Sequence, residues 1–118
     1  MNTREQNLEV ALHYYRYLLD KNFEAMENCV HPAVSFLSPL AEMSGRAAVM
    51  SSAKNLSQTL QDIEIRAKFA MDNRIMLAYD FIFPEPILKL RAAVLMEFKD
   101  QLIAKIELFF DGRPFSGK

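Results

Sequence analysis

The residues of this chain whose types could do chemistry are few. They are the tyrosine pair Tyr14-Tyr15, a third tyrosine at Tyr79 beside the carboxylate Asp80, Ser38 against Pro39, and His31 against Pro32. A tyrosine at the wall of an apolar hollow can donate its hydroxyl to a carbonyl and orient it; it can equally pack a helix against a sheet with the hydroxyl at the rim. Asp80 stands in the middle of an apolar run. Turned inward it would carry a raised pKa and serve as an acid or base; turned outward it is half of an ion pair with Arg91. His31 is a candidate base, although a histidine before proline also serves simply to end a helix. Tyr14, Asp80 and His31 are therefore the candidates for catalysis.

Other chemistries lack their parts. His13 and His31 are the only histidines and Cys29 the only cysteine, too few for a ligand set, so no metal is expected. Cys29 reads as a small buried hydrophobe, and with one cysteine no intramolecular disulfide can form. The three glycines, Gly45, Gly112 and Gly117, are too far apart for a phosphate-cradling loop, and no cofactor is implied. Net charge is −1 and the basic residues are scattered, which argues against a nucleic-acid partner. No apolar stretch reaches membrane-spanning length and the start, Met1 to Glu9, is polar, so no membrane is involved and a cytoplasmic protein is expected.

These groups must be positioned by secondary structure. At 118 residues, 51% hydrophobic and 25% charged, the chain suits one domain spanning 1–118 with one proper core. Leu8, Ala11, Leu12, Tyr15, Leu18 and Leu19 recur at helical spacing and predict an amphipathic helix over Glu5 to Lys21, with Tyr14 on its flank. Asn22 is placed to cap a short helix through Val30, which His31-Pro32 ends. A short strand over Ala33 to Leu37 follows, then a loop at Ser38-Pro39, then a third helix capped by Ser44 and running from Gly45 towards Leu60. After Gln61 the hydrophobic period changes to two. Strands are predicted from Ile63 to Met71, Arg74 to Phe83, Ile87 to Phe98 and Leu102 to Phe110, an antiparallel meander with turns at Asp72-Asn73, Pro84-Glu85-Pro86 and Lys99-Asp100-Gln101. The fold class is α+β, with N-terminal helices on a strongly curved antiparallel sheet.

Register decides which side chains meet. One register sends Ile63, Ile65, Ala67 and Phe69, then Ile75, Leu77, Tyr79 and Phe81, then Leu88, Leu90, Ala92, Val94 and Met96, to the inner face. Leu102, Ala104, Ile106, Leu108 and Phe110 complete it. It also sets Asp80 opposite Arg91 and Arg74 opposite Glu97 on the outer face, both favourable pairs. The alternative slips the second strand by one and turns Asp80 inward and Tyr79 outward. The two charge pairs favour the first.

The order of elements, with Tyr14-Tyr15, Asn22 to Met26, His31-Pro32-Ala33-Val34, Ser38-Pro39, Ser44-Gly45-Arg46 and Phe109-Phe110-Asp111 as local carriers, resembles the nuclear-transport-factor-2-like (NTF2-like) superfamily. Ketosteroid isomerase and the SnoaL-type polyketide cyclases are members, and the resemblance covers nearly the whole chain. It implies a cone-shaped sheet around an apolar hollow. Against the isomerase, Tyr14 falls at the position of the first-helix tyrosine. The position of the general base, before a proline, holds Ser38, and that of the second acid holds Val94. Serine is no base near neutral pH unless activated, and valine cannot donate to an oxyanion, so ketosteroid isomerase activity is not expected.

Three readings result. The first is a binding protein for a small apolar molecule held in the cone, with Tyr14, Tyr15, Ser38, Tyr79, Val94, Ile106 and Phe110 as contacts. The second is an isomerase, cyclase or dehydratase using Asp80 or His31 with Tyr14. The third is a dimerisation module without a ligand. Met76, Ala78, Ile82, Ala93, Leu95, Ile103 and Phe109 fall on the outer face beside the charge pairs. Such a face suits pairing with a second copy, as the resemblance also implies, so a homodimer is expected.

Overall fold

The computed structural model describes residues 3–113. Gly117, one of the three glycines, lies outside them, as do Met1 and Asn2 of the polar start. Three helices and six strands run in the order α1 (Thr3–Asp20), α2 (Phe23–Glu27), β1 (Val30–Leu37), β2 (Glu42–Ser44), α3 (Arg46–Ser57), β3 (Asp62–Met71), β4 (Arg74–Ile82), β5 (Lys89–Lys99) and β6 (Leu102–Phe110). The sheet order is β2-β1-β6-β5-β4-β3. β3 to β6 form the antiparallel meander, while β1 lies parallel to β6, so the sheet is mixed. The helices pack inside its curl, α1 against β3, β4 and β6, and α3 against β1 and β2.

Local chemistry sets the helix ends. Asn22 caps α2 by accepting from the Ala25 N–H at 3.3 Å. That helix stops at Glu27, short of Val30, and β1 begins at Val30, because parallel pairing with Ile103 of β6 outweighs the proline break. Ser44 is not the cap of α3. It ends β2, where it pairs with Ser35, and Gly45 holds the N-cap position at φ +95° with no side-chain bond to the helix. α3 then stops at Ser57 rather than approaching Leu60.

The first register is the one observed in β4 and β5. Ile75, Leu77, Tyr79 and Phe81 are buried, as are Leu90, Ala92, Val94, Met96 and Phe98. Asp80 faces Arg91 and Arg74 faces Glu97 across the pair.

Two bulges change the rest. In β3, Ile65 pairs with Tyr79 and Ala67 with Ala78, so Arg66 is an extra residue and everything after it swaps faces. Phe69, expected inside, pairs with Met76 on the outer face and is 64% exposed, while Ala70 packs against the core. In β6 the shift falls at Ala104, the one residue between Ile103, opposite Phe98, and Lys105, opposite Glu97. Ile103, expected outside, is therefore fully buried.

Candidate functional site

The site grows from the buried stripe of α1. Ala11, Tyr14, Tyr15 and Leu18 face the sheet, and Tyr79 is the β4 residue beneath them. The Tyr79 hydroxyl donates to the Tyr15 oxygen at 2.8 Å. The rings form a continuous aromatic row: Tyr14 lies edge-on to Tyr15 at 5.1 Å and Tyr15 to Tyr79 at 5.0 Å, and Phe81 lies tilted against Tyr79 at 4.9 Å. Such tilted contacts suit ring quadrupoles and stiffen the wall they build.

Beside this row lies an apolar hollow of about 50 Å³, walled by Tyr14, Tyr15, Met26, Val49 and Ile106 among others. Phe36, Ser52, Leu56, Phe81 and Leu108 line both the hollow and a wider groove of about 230 Å³ that opens beyond it, towards Ser38, Leu40 and Phe110. The two voids lie side by side against these five shared side chains, and together they make up the inner passage. Among the described residues its walls contain no carboxylate, imidazole or amine; the polar groups are the hydroxyls of Tyr14, Tyr15, Ser38 and Ser52.

The Tyr14 hydroxyl has no hydrogen-bond partner among the described residues. Asn7 Oδ1 is the one fully sealed side-chain polar atom left unpartnered there, so the Tyr14 oxygen touches open space rather than packed atoms. Burial, with Tyr15 and Cys29 adding to it, pushes the Tyr14 phenol well above the ordinary range. Tyr15 and Tyr79 are pushed up mainly by burial as well. All three stay neutral near physiological pH. The Tyr15–Tyr79 pair uses one of its two protons in the mutual bond, which leaves Tyr15, the member at the hollow's wall, with a proton to give.

The expected contacts divide into three groups. Tyr14, Tyr15 and Ile106 line the hollow; Ser38 and Phe110 line the outer groove. Tyr79 and Val94 are fully buried behind the wall and act on the hollow only through neighbours. The Ser38 hydroxyl is engaged in its own loop, accepting from the N–H groups of Leu40 at 3.3 Å and Ala41 at 3.1 Å.

Asp80 and His31 do not join Tyr14. Asp80 alternates with Tyr79 and so lies on the outer face, where Arg66 Nε is 3.2 Å and Arg91 Nε 3.9 Å from Oδ1. The bulge lifts Arg66 over the carboxylate, which is only 2% exposed. His31 lies in β1, with Nδ1 accepting from the Ala33 N–H at 3.0 Å. Cys29 is half-buried near Tyr14; its thiol donates to the Ala25 carbonyl at 3.5 Å and is pushed up by burial. Among the described residues no cluster of three or more His, Cys, Asp or Glu could hold a metal, and no helix is long and apolar enough to cross a membrane.

Ser52, Leu56 and Phe36 were not among the expected contacts. Ser52 and Leu56 lie four apart on α3, next to the buried stripe Val49, Met50 and Ala53. Their helical spacing was visible; that α3 roofs the hollow was not.

Known structures with this arrangement are numerous. An NTF2-like protein of unknown function from Cytophaga hutchinsonii is 20% identical, with a TM-score of 0.81 over 98% of this chain and 95% of that one. The fold is NTF2-like. The same cone is shared by a de novo designed protein with a curved β-sheet, at 19% identity and a TM-score of 0.84 over 96% of this chain and 90% of that one. An LEH-like epoxide hydrolase from M. tuberculosis shares it too, at 9% identity and a TM-score of 0.81 over 95% and 87% of the respective chains. No family model and no curated protein matches the sequence. At these identities the likeness concerns the NTF2-like fold alone, since one such cone hosts unrelated activities.

Proposed function

We propose that this NTF2-like chain binds a small apolar molecule bearing one hydrogen-bond acceptor, with its apolar body in the passage and its acceptor on the Tyr14 hydroxyl. The observation that carries this reading is the unpartnered Tyr14 hydroxyl at the inner end of an otherwise apolar passage. A hydroxyl that faces open space at the end of an apolar passage is free to donate to the acceptor of a molecule that fills the passage. The hollow, at about 50 Å³, and the groove, at about 230 Å³, are each smaller than an ordinary drug-sized pocket, so the ligand is a single ring or short chain. Acid–base catalysis is the weaker reading, because Asp80 and His31 lie away from the passage and its walls offer only hydroxyls.

Titration of methyl-labelled protein with acetophenone and with ethylbenzene tests the reading, since the two probes share a ring and differ by the carbonyl. Acetophenone is expected to perturb Val49, Ile106 and Leu108 and to bind about fivefold more tightly than ethylbenzene, the worth of one hydrogen bond near 1 kcal/mol. Tyr14→Phe erases that preference. Equal binding of the two probes, or an acetophenone preference untouched by Tyr14→Phe, overturns it.

The outer face supports a partner of the same kind. Its residues form rows across β3 to β6: Phe69, Met76, Leu95 and Glu107; Ala67, Ala78, Ala93 and Phe109; Met71, Arg74, Glu97 and Lys105; Glu64, Asp80 and Arg91. A row of alanines beside a row of large apolar side chains, with mixed charge towards both ends of the face, suits pairing of two copies about a two-fold axis. The proposed partner is therefore a second copy, giving a homodimer.

A further inference from the structure

A second trough lies on the other side of Tyr15, between α1 and β3. At about 310 Å³ it is larger than either part of the inner passage. Leu12, Leu19, Ile63 and Ile65 supply its apolar floor with Tyr15, while His13, Arg16 and Asp62 stand at its rim. Its chemistry follows from how those rim and floor groups are already engaged. Ile65 leaves 40% of its surface in water. Arg16 makes no hydrogen bond or salt bridge among the described residues, so its guanidinium is free. Asp62, the one anionic rim group, is turned onto its own strand, where Oδ1 accepts from the Ile63 N–H at 2.8 Å.

β3 is the last strand of the sheet, so an extended peptide adding to its edge is the obvious competing occupant. The bulge at Arg66 interrupts the edge immediately after Ile65, and Glu64, Arg66 and Lys68 crowd it with charge. Both features block strand addition. The trough is left open to a short, compact molecule.

We infer that this trough is a second binding site, separate from the inner passage, for a small amphipathic monocarboxylate. The hydrocarbon part rests on Leu12, Leu19, Ile63 and Ile65, and the carboxylate meets Arg16, whose planar fork matches two carboxylate oxygens. His13 stands beside it. Tyr15 divides the two sites, so its variants are unsuitable as probes.

Titration of the full chain with octanoate and with octan-1-ol, followed on methyl resonances, tests the assignment. Octanoate is expected to perturb Leu12, Leu19, Ile63 and Ile65 and to leave Val49 and Leu108 of the inner passage unmoved. Arg16→Gln, a change on an exposed helix face, weakens octanoate about fivefold, the upper worth of an exposed ion pair, without altering the melting temperature. Equal binding of octan-1-ol and octanoate, an unchanged octanoate affinity in Arg16→Gln, perturbation confined to Val49 and Leu108, or no binding up to the solubility limit overturns it. The inner-passage reading is untouched by each of these outcomes, since it is read from acetophenone and Tyr14.

Discussion

Tyr14, Tyr15 and Tyr79 are packed ring against ring in the core, and each must be neutral for that packing to persist. Their phenols are held above the ordinary value near 10, chiefly by burial. A group whose pKa is raised on folding contributes its full stability below its unfolded value and loses it as pH climbs past. Unfolding by urea should therefore give a constant midpoint up to about pH 9 and a falling one above about pH 10. Tyr79→Phe should cost about 1 kcal/mol at neutral pH, through loss of the bond to Tyr15, and flatten the alkaline fall. A midpoint insensitive to alkali would contradict the burial of these hydroxyls. Tyr79 was legible in the sequence as an inward residue, because strict alternation around it and the Asp80–Arg91 and Arg74–Glu97 pairs fixed the register. The nearer partner of Asp80, Arg66, was not, because a bulge leaves no mark in an alternating pattern of this length.

The elements show the same division between what periodicity encodes and what tertiary pairing imposes. The long helix and the meander follow from their hydrophobic periods. β2 escaped notice because Glu42–Ser44 is too short to show a period, and it exists through pairing with β1. The bulge at Arg66 is why Phe69 and Ala70 exchange the faces expected of them. The start of α3 turns on backbone geometry rather than on a capping side chain. Gly45 holds φ +95° with open space around the site of a Cβ, so Gly45→Ala brings conformational strain and no clash. Chemical denaturation should show a loss of about 1–3 kcal/mol. An unchanged stability would mean that the turn into α3 can relax, and the roof formed by Ser52 and Leu56 would then be less firmly placed than described.

For the whole molecule, the curled sheet produces two surfaces of different character. Its concave face and the helices enclose the passage to Tyr14; its convex face carries exposed Phe69 and Phe109 between rows of charge, with exposed Met71 at the end of one of those rows. Sedimentation is expected to show a dimer at micromolar concentration, and Phe109→Asp, which places a charge beside the row of alanines, a monomer. A wild-type monomer would leave that apolar face unexplained. The cone shape and the apolar character of its interior were legible from element order and period. The space beside Tyr14 was not, because it comes from how α3, packed on β1 and β2, stands beside Ile106 and Leu108 of β6, a placement that no hydrophobic period encodes. That a designed protein shares this cone shows how little the shape alone says of chemistry. The central claim concerns one hydrogen bond, from Tyr14 to a ligand acceptor. The infrared carbonyl stretch of bound acetophenone measures it directly. The band should shift to lower frequency on binding, hold that position from neutral pH to about pH 9 because the phenol stays protonated, and return towards its hydrocarbon-solvent frequency in Tyr14→Phe. A band that does not move on binding, or moves equally in Tyr14→Phe, would contradict it.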